Sequence, residues 1–254
     1  MKEKVIQRIR EIERQYGVRV LLAVESGSRA WGFASPDSDY DVRFIYVHER
    51  DWYLSLLEGR DVIEELDPEG ILDVCGWDLK KALTLMGRCN CAFVEWLGSP
   101  IVYYREEGFF REIDGLKDRF FRTVSAVNHY YHMAMNHDKR YLEKRGCELK
   151  RFMYHIRGLL AAKWAMERRT YPPVPFRELL DAEVHDETVK EALLDLVRLK
   201  SRSKEHDKTI VSDTLVDYAT ATAAEIQFRL GSFPAEQQPD FSVLDAFFLK
   251  TLER

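Results

Sequence analysis

The chain has 254 residues, 46% hydrophobic and 32% charged, the balance of a globular protein with one large domain or two smaller ones. Its 38 basic and 43 acidic residues leave a formal charge of -5, which argues against a general nucleic-acid coat and leaves room for a local basic groove. No apolar run approaches the roughly 20 residues that span a bilayer. The cysteines (Cys75, Cys89, Cys91, Cys147) form no Cys-x-x-Cys pair, and the sequence carries no secretory signal, so free thiols in a reducing cytoplasm are expected.

Val5, Ile6, Ile9, Ile12 and Tyr16 recur at helical spacing, and Gly17 closes that helix. The apolar run Val18 to Val24 reads as a buried strand that delivers the chain into Gly27-Ser28. A glycine there suits close backbone approach to a phosphate. Ser26 or Ser28 caps a short helix through Arg29, Ala30 and Trp31, its N-terminus toward an anion; the plain alternative is an ordinary strand-to-helix turn. Residues 33–38 form a loop around Ser35-Pro36-Asp37.

Asp39 to His48 is the second strand, rich in Val, Phe, Ile and Tyr. Alternation sets Asp39 and Asp41 on one face and Tyr40 and Val42 on the other. Two neighbouring carboxylates repel each other, and a hard divalent cation such as Mg²⁺ would resolve the repulsion. The plain alternative is that acidic residues commonly start strands. Arg29 and Arg43 flank the acids and are candidates to touch phosphate. Arg43 shares the face of Asp39 and Asp41, so it could instead neutralise them.

Residues 62–66 and 71–75 read as two short strands joined by the turn Asp67-Pro68-Glu69-Gly70. The second sets Asp73 between Leu72 and Val74, as a third active-site acid or as an edge residue facing water. Gly76 to Leu83 opens a helix with Asp78 as its N-cap, and Asp78 is the other candidate for the third carboxylate. A second short helix carries Ala92, Phe93, Trp96 and Leu97, and residues 101–104 are a last strand or an extended connection. Beyond Glu106 the pattern is helical almost throughout. The expected fold class is therefore α+β: a mixed-sheet domain over residues 1–115, then an all-helical domain over 116–254.

In the helical half, Lys150, Tyr154 and Arg157 share one face at i, i+4 and i+7. That face closes over a nucleotide or its acceptor, or is simply solvated. Lys139, Arg140, Lys144, Arg145, Lys150 and Arg151 cluster with Tyr141 and Phe152 between them, suited to an RNA backbone or to solvent. His129, His132 and His137 fit no metal-binding pattern and read as packing or surface residues.

A phosphate turn followed by converging acids reads as phosphoryl or nucleotidyl transfer. Two metal ions about 4 Å apart can hold nucleophile and leaving group together, and clamping them takes carboxylates from separate strands. Gly27-Ser28, Asp39-Tyr40-Asp41-Val42 and a later strand aspartate together resemble the polymerase-β-type nucleotidyltransferase superfamily. The fuller strings at residues 27–47 and 73–83 resemble its bacterial and phage branch associated with RNA ligase and RNA repair. Residues 95–103 and 150–157 extend the likeness. The resemblance implies Mg²⁺, a nucleoside triphosphate such as ATP, and a nucleotidyltransferase domain followed by helices.

The expected activity is metal-dependent transfer of a nucleoside monophosphate to an acceptor. Asp39 and Asp41 would bind the metal, with Asp73 a third ligand or general base. Gly27, Ser28 and Arg29 would hold phosphate. The acceptor would be an RNA end, a protein or a small molecule, with an RNA ligase as a candidate partner. The reading from a different class is a catalytically silent nucleotide- or RNA-binding partner of a repair complex. The intact acidic pair weighs against it.

Overall fold

The computed structural model describes residues 1–67, 70–138, 146–204, 207–234, 236–237 and 239–253. The chain divides into two compact units. One comprises Met1–Ala30, Asp39–Phe120 and Gln238–Arg254, and the other Trp31–Ser38 and Phe121–Gln237. These units differ from a division at 115 and 116 in two places. The loop Trp31–Ser38 belongs with the helices, because its aromatic side chains pack there. The last residues return to the sheet unit, because Phe241, Phe247 and Phe248 pack there.

In the first unit, α1 (Lys2–Tyr16) ends on Gly17, whose φ of 63° is the left-handed conformation that stops a helix. β1 (Val18–Glu25) leads into the short helix α2 (Gly27–Trp31), and β2 (Tyr40–His48) follows. Next come α3 (Arg50–Tyr53), β3 (Val62–Leu66), β4 (Leu72–Asp78), α4 (Leu79–Gly87), α5 (Cys91–Leu97), β5 (Val102–Arg105) and α6 (Glu107–Lys117). The strands form one mixed sheet in the order β3-β4-β2-β1-β5. β2 and β4 run parallel, and the other pairs are antiparallel.

α1 covers one face. Its Val5, Ile9 and Ile12 pack with Val20, Ala23, Val42, Phe44, Tyr46, Ile63, Leu72 and Val74. Alternation along β2 sends Asp41, Arg43, Ile45 and Val47 to the opposite face. There α4 packs on β2, and its Leu79, Ala82, Leu83 and Met86 are buried. Ile45 and Val47 are buried as well, whereas Asp41 and Arg43 remain partly accessible. This is the end of the sheet where the acids gather.

β4 is longer than the sequence pattern suggests. Gly76, Trp77 and Asp78 continue the strand instead of opening the helix. Gly76 lies opposite Phe44 in the ladder, and any Cβ there would overlap the Phe44 ring. The glycine is thus a packing requirement of the strand.

The second unit contains α7 (Thr123–Asp138), β6 (Gly146–Glu148), α8 (Leu149–Arg168), α9 (Phe176–Glu183), α10 (Glu187–Lys200), β7 (Lys208–Ile210) and α11 (Asp213–Leu230). α7 and α8 approach closely at Gly158, where a Cβ would come within 2.8 Å of Ala134 Cβ. His155 adds a hydrogen bond between its Nδ1 and the Ala134 carbonyl, at 3.0 Å. The sequence pattern led to an all-helical unit, but β6 and β7 pair within it as a small antiparallel ladder. Segments of three residues are too short for a periodic signal. The last helix, α12 (Ser242–Leu252), lies in the first unit, where Phe247 meets Phe109 at 5.7 Å between ring centroids.

Candidate active site

The site starts where β1 runs out. Glu25 ends a strand that is apolar apart from Arg19, yet it is completely buried. Its backbone N–H donates to the Ile101 carbonyl at 2.9 Å, and Ser99 Oγ donates to the Glu25 carbonyl at 2.6 Å. The carboxylate accepts from the Asp41 backbone N–H at 2.9 Å and from the Tyr103 hydroxyl. Burial pushes the Glu25 pKa up; the Tyr103 and Asp41 donors pull it back without cancelling the effect. Glu25 and Tyr103 were not singled out from the sequence. The available signal was one acid within the apolar run that ends at the turn.

Two residues later the chain reverses at Gly27, with φ of 61°. Ser26 N–H donates to the Asp41 carbonyl at 2.8 Å, which ties the turn to β2. A Cβ at Gly27 would overlap Asp41 Oδ2. The absent side chain and the left-handed backbone therefore serve one purpose, to seat the Asp41 carboxylate against the turn. Ser28 follows, buried in the first turn of α2. Arg29 Nε donates to the Asp39 carbonyl at 3.0 Å, and its guanidinium lies 3.7 Å over the Tyr40 ring. Arg29 thus fixes the backbone between the two acids.

The parallel ladder sets Asp41 opposite Asp73. Asp78 lies five steps along, opposite Tyr46, with the other parity. Its carboxylate caps α4 by accepting from Lys80 N–H at 2.8 Å and also accepts from Tyr53 OH at 2.6 Å. Asp73 is therefore the acid beside Asp41, and Asp78 is a buried helix cap. Burial raises the Asp78 pKa against both hydrogen bonds.

Arg43 bridges the two acids. Nη2 donates to Asp41 Oδ1 at 3.0 Å and to Asp73 Oδ2 at 2.8 Å. Nη1 donates to the Val42 and Asp73 carbonyls at 3.1 and 3.2 Å. Burial opposes its charge, but the Asp73 hydrogen bond and the charges of Asp41 and Asp73 outweigh this and raise the Arg43 pKa. Asp39 is exposed, and its carboxylate has no hydrogen-bond partner among the described residues. Among those residues, no three His, Cys, Asp or Glu side chains are grouped so as to hold a metal ion. The donor chemistry of Asp39 and Asp41 still fits a hard divalent cation, since both offer carboxylate oxygens and Asp41 sits in a cradle that a Cβ would fill.

A cleft of about 440 Å³ adjoins this point, lined by Arg43, Glu64, Glu65, Asp73, Cys75, Trp77 and Trp96. Trp77 and Trp96 pack at 4.1 Å between centroids. Burial raises the Cys75 pKa and keeps it a thiol.

In the other unit, the expected face of α8 is buried at Arg157 and half-buried at Lys150 and Tyr154. Arg157 is fully buried, its guanidinium 4.1 Å over the Trp31 ring, and it donates to the Val174 carbonyl at 3.4 Å. Tyr154 meets the same Trp31 edge-on at 4.8 Å and Phe33 at 6.2 Å. Lys150 Nζ lies 5.7 Å over the Tyr154 ring. Buried Lys200 donates to Ser35 Oγ. Arg157, Tyr154 and Lys200 grip the loop Trp31–Ser38, a role that helical spacing alone could not suggest. Lys139, Arg140, Tyr141, Lys144 and Arg145 of the basic cluster lie outside the described residues. No helix among the described residues is long and apolar enough to cross a membrane.

Residues 1–250 match the model of the family described as RlaP: RNA repair pathway DNA polymerase beta family. The Bacillus subtilis (strain 168) protein YcgL is 37% identical over 253 residues, covering 100% of this chain and 97% of that protein. The crystal structure of a nucleotidyltransferase-like protein from Exiguobacterium sibiricum 255-15 aligns over 98% of this chain and 80% of that one, at 10% identity and a TM-score of 0.33. An overlap that loose carries no argument about the site.

Proposed function

The chain belongs to the RNA repair pathway DNA polymerase beta family, and from that premise we propose that it transfers a nucleoside monophosphate from a nucleoside triphosphate to an acceptor, in a metal-dependent reaction. The observation that carries this reading is the seating of Asp41 between the Gly27 turn and Asp73. A carboxylate buttressed on one side by a glycine turn and on the other by a second acid suits attack at an α-phosphorus.

The roles follow from position. Asp39 and Asp41 would hold Mg²⁺, which would supply positive charge to the triphosphate oxygens. Backbone amides at Gly27 and Ser28 would hold the β- and γ-phosphates, with Arg29 keeping the acidic loop in place. Asp73 borders the cleft beside Trp77 and would face the acceptor hydroxyl. As the acceptor oxygen bonds to the α-phosphorus, the bond to pyrophosphate would break, and Asp73 would take the hydroxyl proton. The family description favours an RNA end as acceptor.

An acceptor panel tests this. Purified protein, Mg²⁺ and α-labelled triphosphates are incubated with RNA ends of defined chemistry, with a protein mixture and with hydroxylated small molecules. Label on RNA alone supports the reading. Label on protein or a small molecule would move the acceptor class and leave the chemistry standing.

A further inference from the structure

Clamping both reacting oxygens of a nucleotidyl transfer takes two positive charges between converging carboxylates. In this chain one of those places is already taken. The Arg43 guanidinium lies between Asp41 and Asp73, held by two carboxylate and two carbonyl hydrogen bonds. The Arg43 side chain is only 18% exposed. It comes from the same strand as Asp41, two residues on, so no other element has to move to deliver it.

We infer that Arg43 replaces one of the two metal ions, so that the site takes a single divalent cation at Asp39 and Asp41. This rests on the proposed nucleotidyl transfer. A cation entering between Asp41 and Asp73 would have to displace Nη2 from both carboxylates and leave a largely buried guanidinium with carbonyl partners alone, a penalty against its entry. Guanidinium keeps its proton at any working pH, so it is a permanent charge. Nη2 donates to both carboxylates while Nη1 donates to the two carbonyls, four bonds that a lysine ammonium with its three donors would not make at once. Asp39, exposed and without a hydrogen-bond partner among the described residues, is left as the open metal ligand.

Counting Mn²⁺ by equilibrium dialysis, with one non-hydrolysable triphosphate bound per chain, tests the inference. The expected result is one tightly bound Mn²⁺ in the native protein and two in Arg43→Met. Two ions in the native protein overturn it without any variant, so the test stands even if Arg43→Met does not fold. One ion in both proteins overturns it as well, because the guanidinium would then occupy no cation's place. The double variant Asp39→Asn with Asp41→Asn separates the two levels. If the native protein takes two ions and the double variant none, only the Arg43 inference fails. If native protein and double variant bind equally, the carboxylate-metal reading fails and takes the inference with it.

Discussion

Gly27 leaves room for Asp41 by lacking a side chain: its φ is 61°, and a Cβ would overlap Asp41 Oδ2. The Gly-Ser turn and the Asp-x-Asp pair are therefore one device. Gly27→Ala should both strain the turn, by roughly 1–2 kcal/mol for a left-handed residue, and displace the Asp41 carboxylate. Differential scanning calorimetry should show a modest fall in Tm, with label transfer reduced far more than stability. Retained transfer would mean that the seat is not needed.

Asp73 and Asp78 should separate cleanly. Asp78→Ala removes the α4 cap, at about 0.5–2 kcal/mol, and leaves Tyr53 without its acceptor. Asp73→Ala leaves the fold intact, since Arg43 keeps Asp41 and the carbonyls as partners. Urea melts and transfer rates on the two variants check this. Asp78→Ala should lose stability and keep activity, and Asp73→Ala the reverse.

Glu25 gives the fold a pH signature. A carboxyl whose pKa rises on folding binds more protons in the native chain than in the unfolded one. Its contribution to stability is present below the ordinary carboxylate pKa and is lost as pH climbs toward the raised native value. Glu25 and Asp78 both carry raised values, so each lowers stability on going from pH 4 upward. Glu25→Gln keeps an acceptor for the Asp41 amide and removes one of the two titrations. Denaturation midpoints measured from pH 4 to 8 should fall less steeply in that variant than in the native protein.

Arg157 should behave as a core residue of the helical unit. Arg157→Ala removes a fully buried side chain from the Trp31 ring, and Trp31→Ala should cost about 3–5 kcal/mol as a large-to-small core change. Calorimetry should show a destabilised unit in both variants. A loss of triphosphate affinity at unchanged stability in Arg157→Ala would restore the binding role that helical spacing suggested.

These cases mark what was legible in the sequence. The acids, the turn and the strands that carry them were readable, because alternation and turn chemistry are local. That Asp73 rather than Asp78 stands beside Asp41 was not, because parallel register joins segments about thirty residues apart. Glu25 was hidden by the apolar strand around it. The inward turn of Arg157 depends on Trp31, which local helical periodicity does not register. The loop Trp31–Ser38 reads as a connector by composition, and only its aromatic packing assigns it to the helices.

The central claim is nucleotidyl transfer through Asp39 and Asp41. Incubating α-labelled triphosphate with Mg²⁺ and RNA ends, using native protein and the Asp39→Asn, Asp41→Asn double variant side by side, tests it most directly. Labelled RNA is expected with the native protein and none with the double variant, whose melting curve stays cooperative. Equal labelling by both proteins would contradict it.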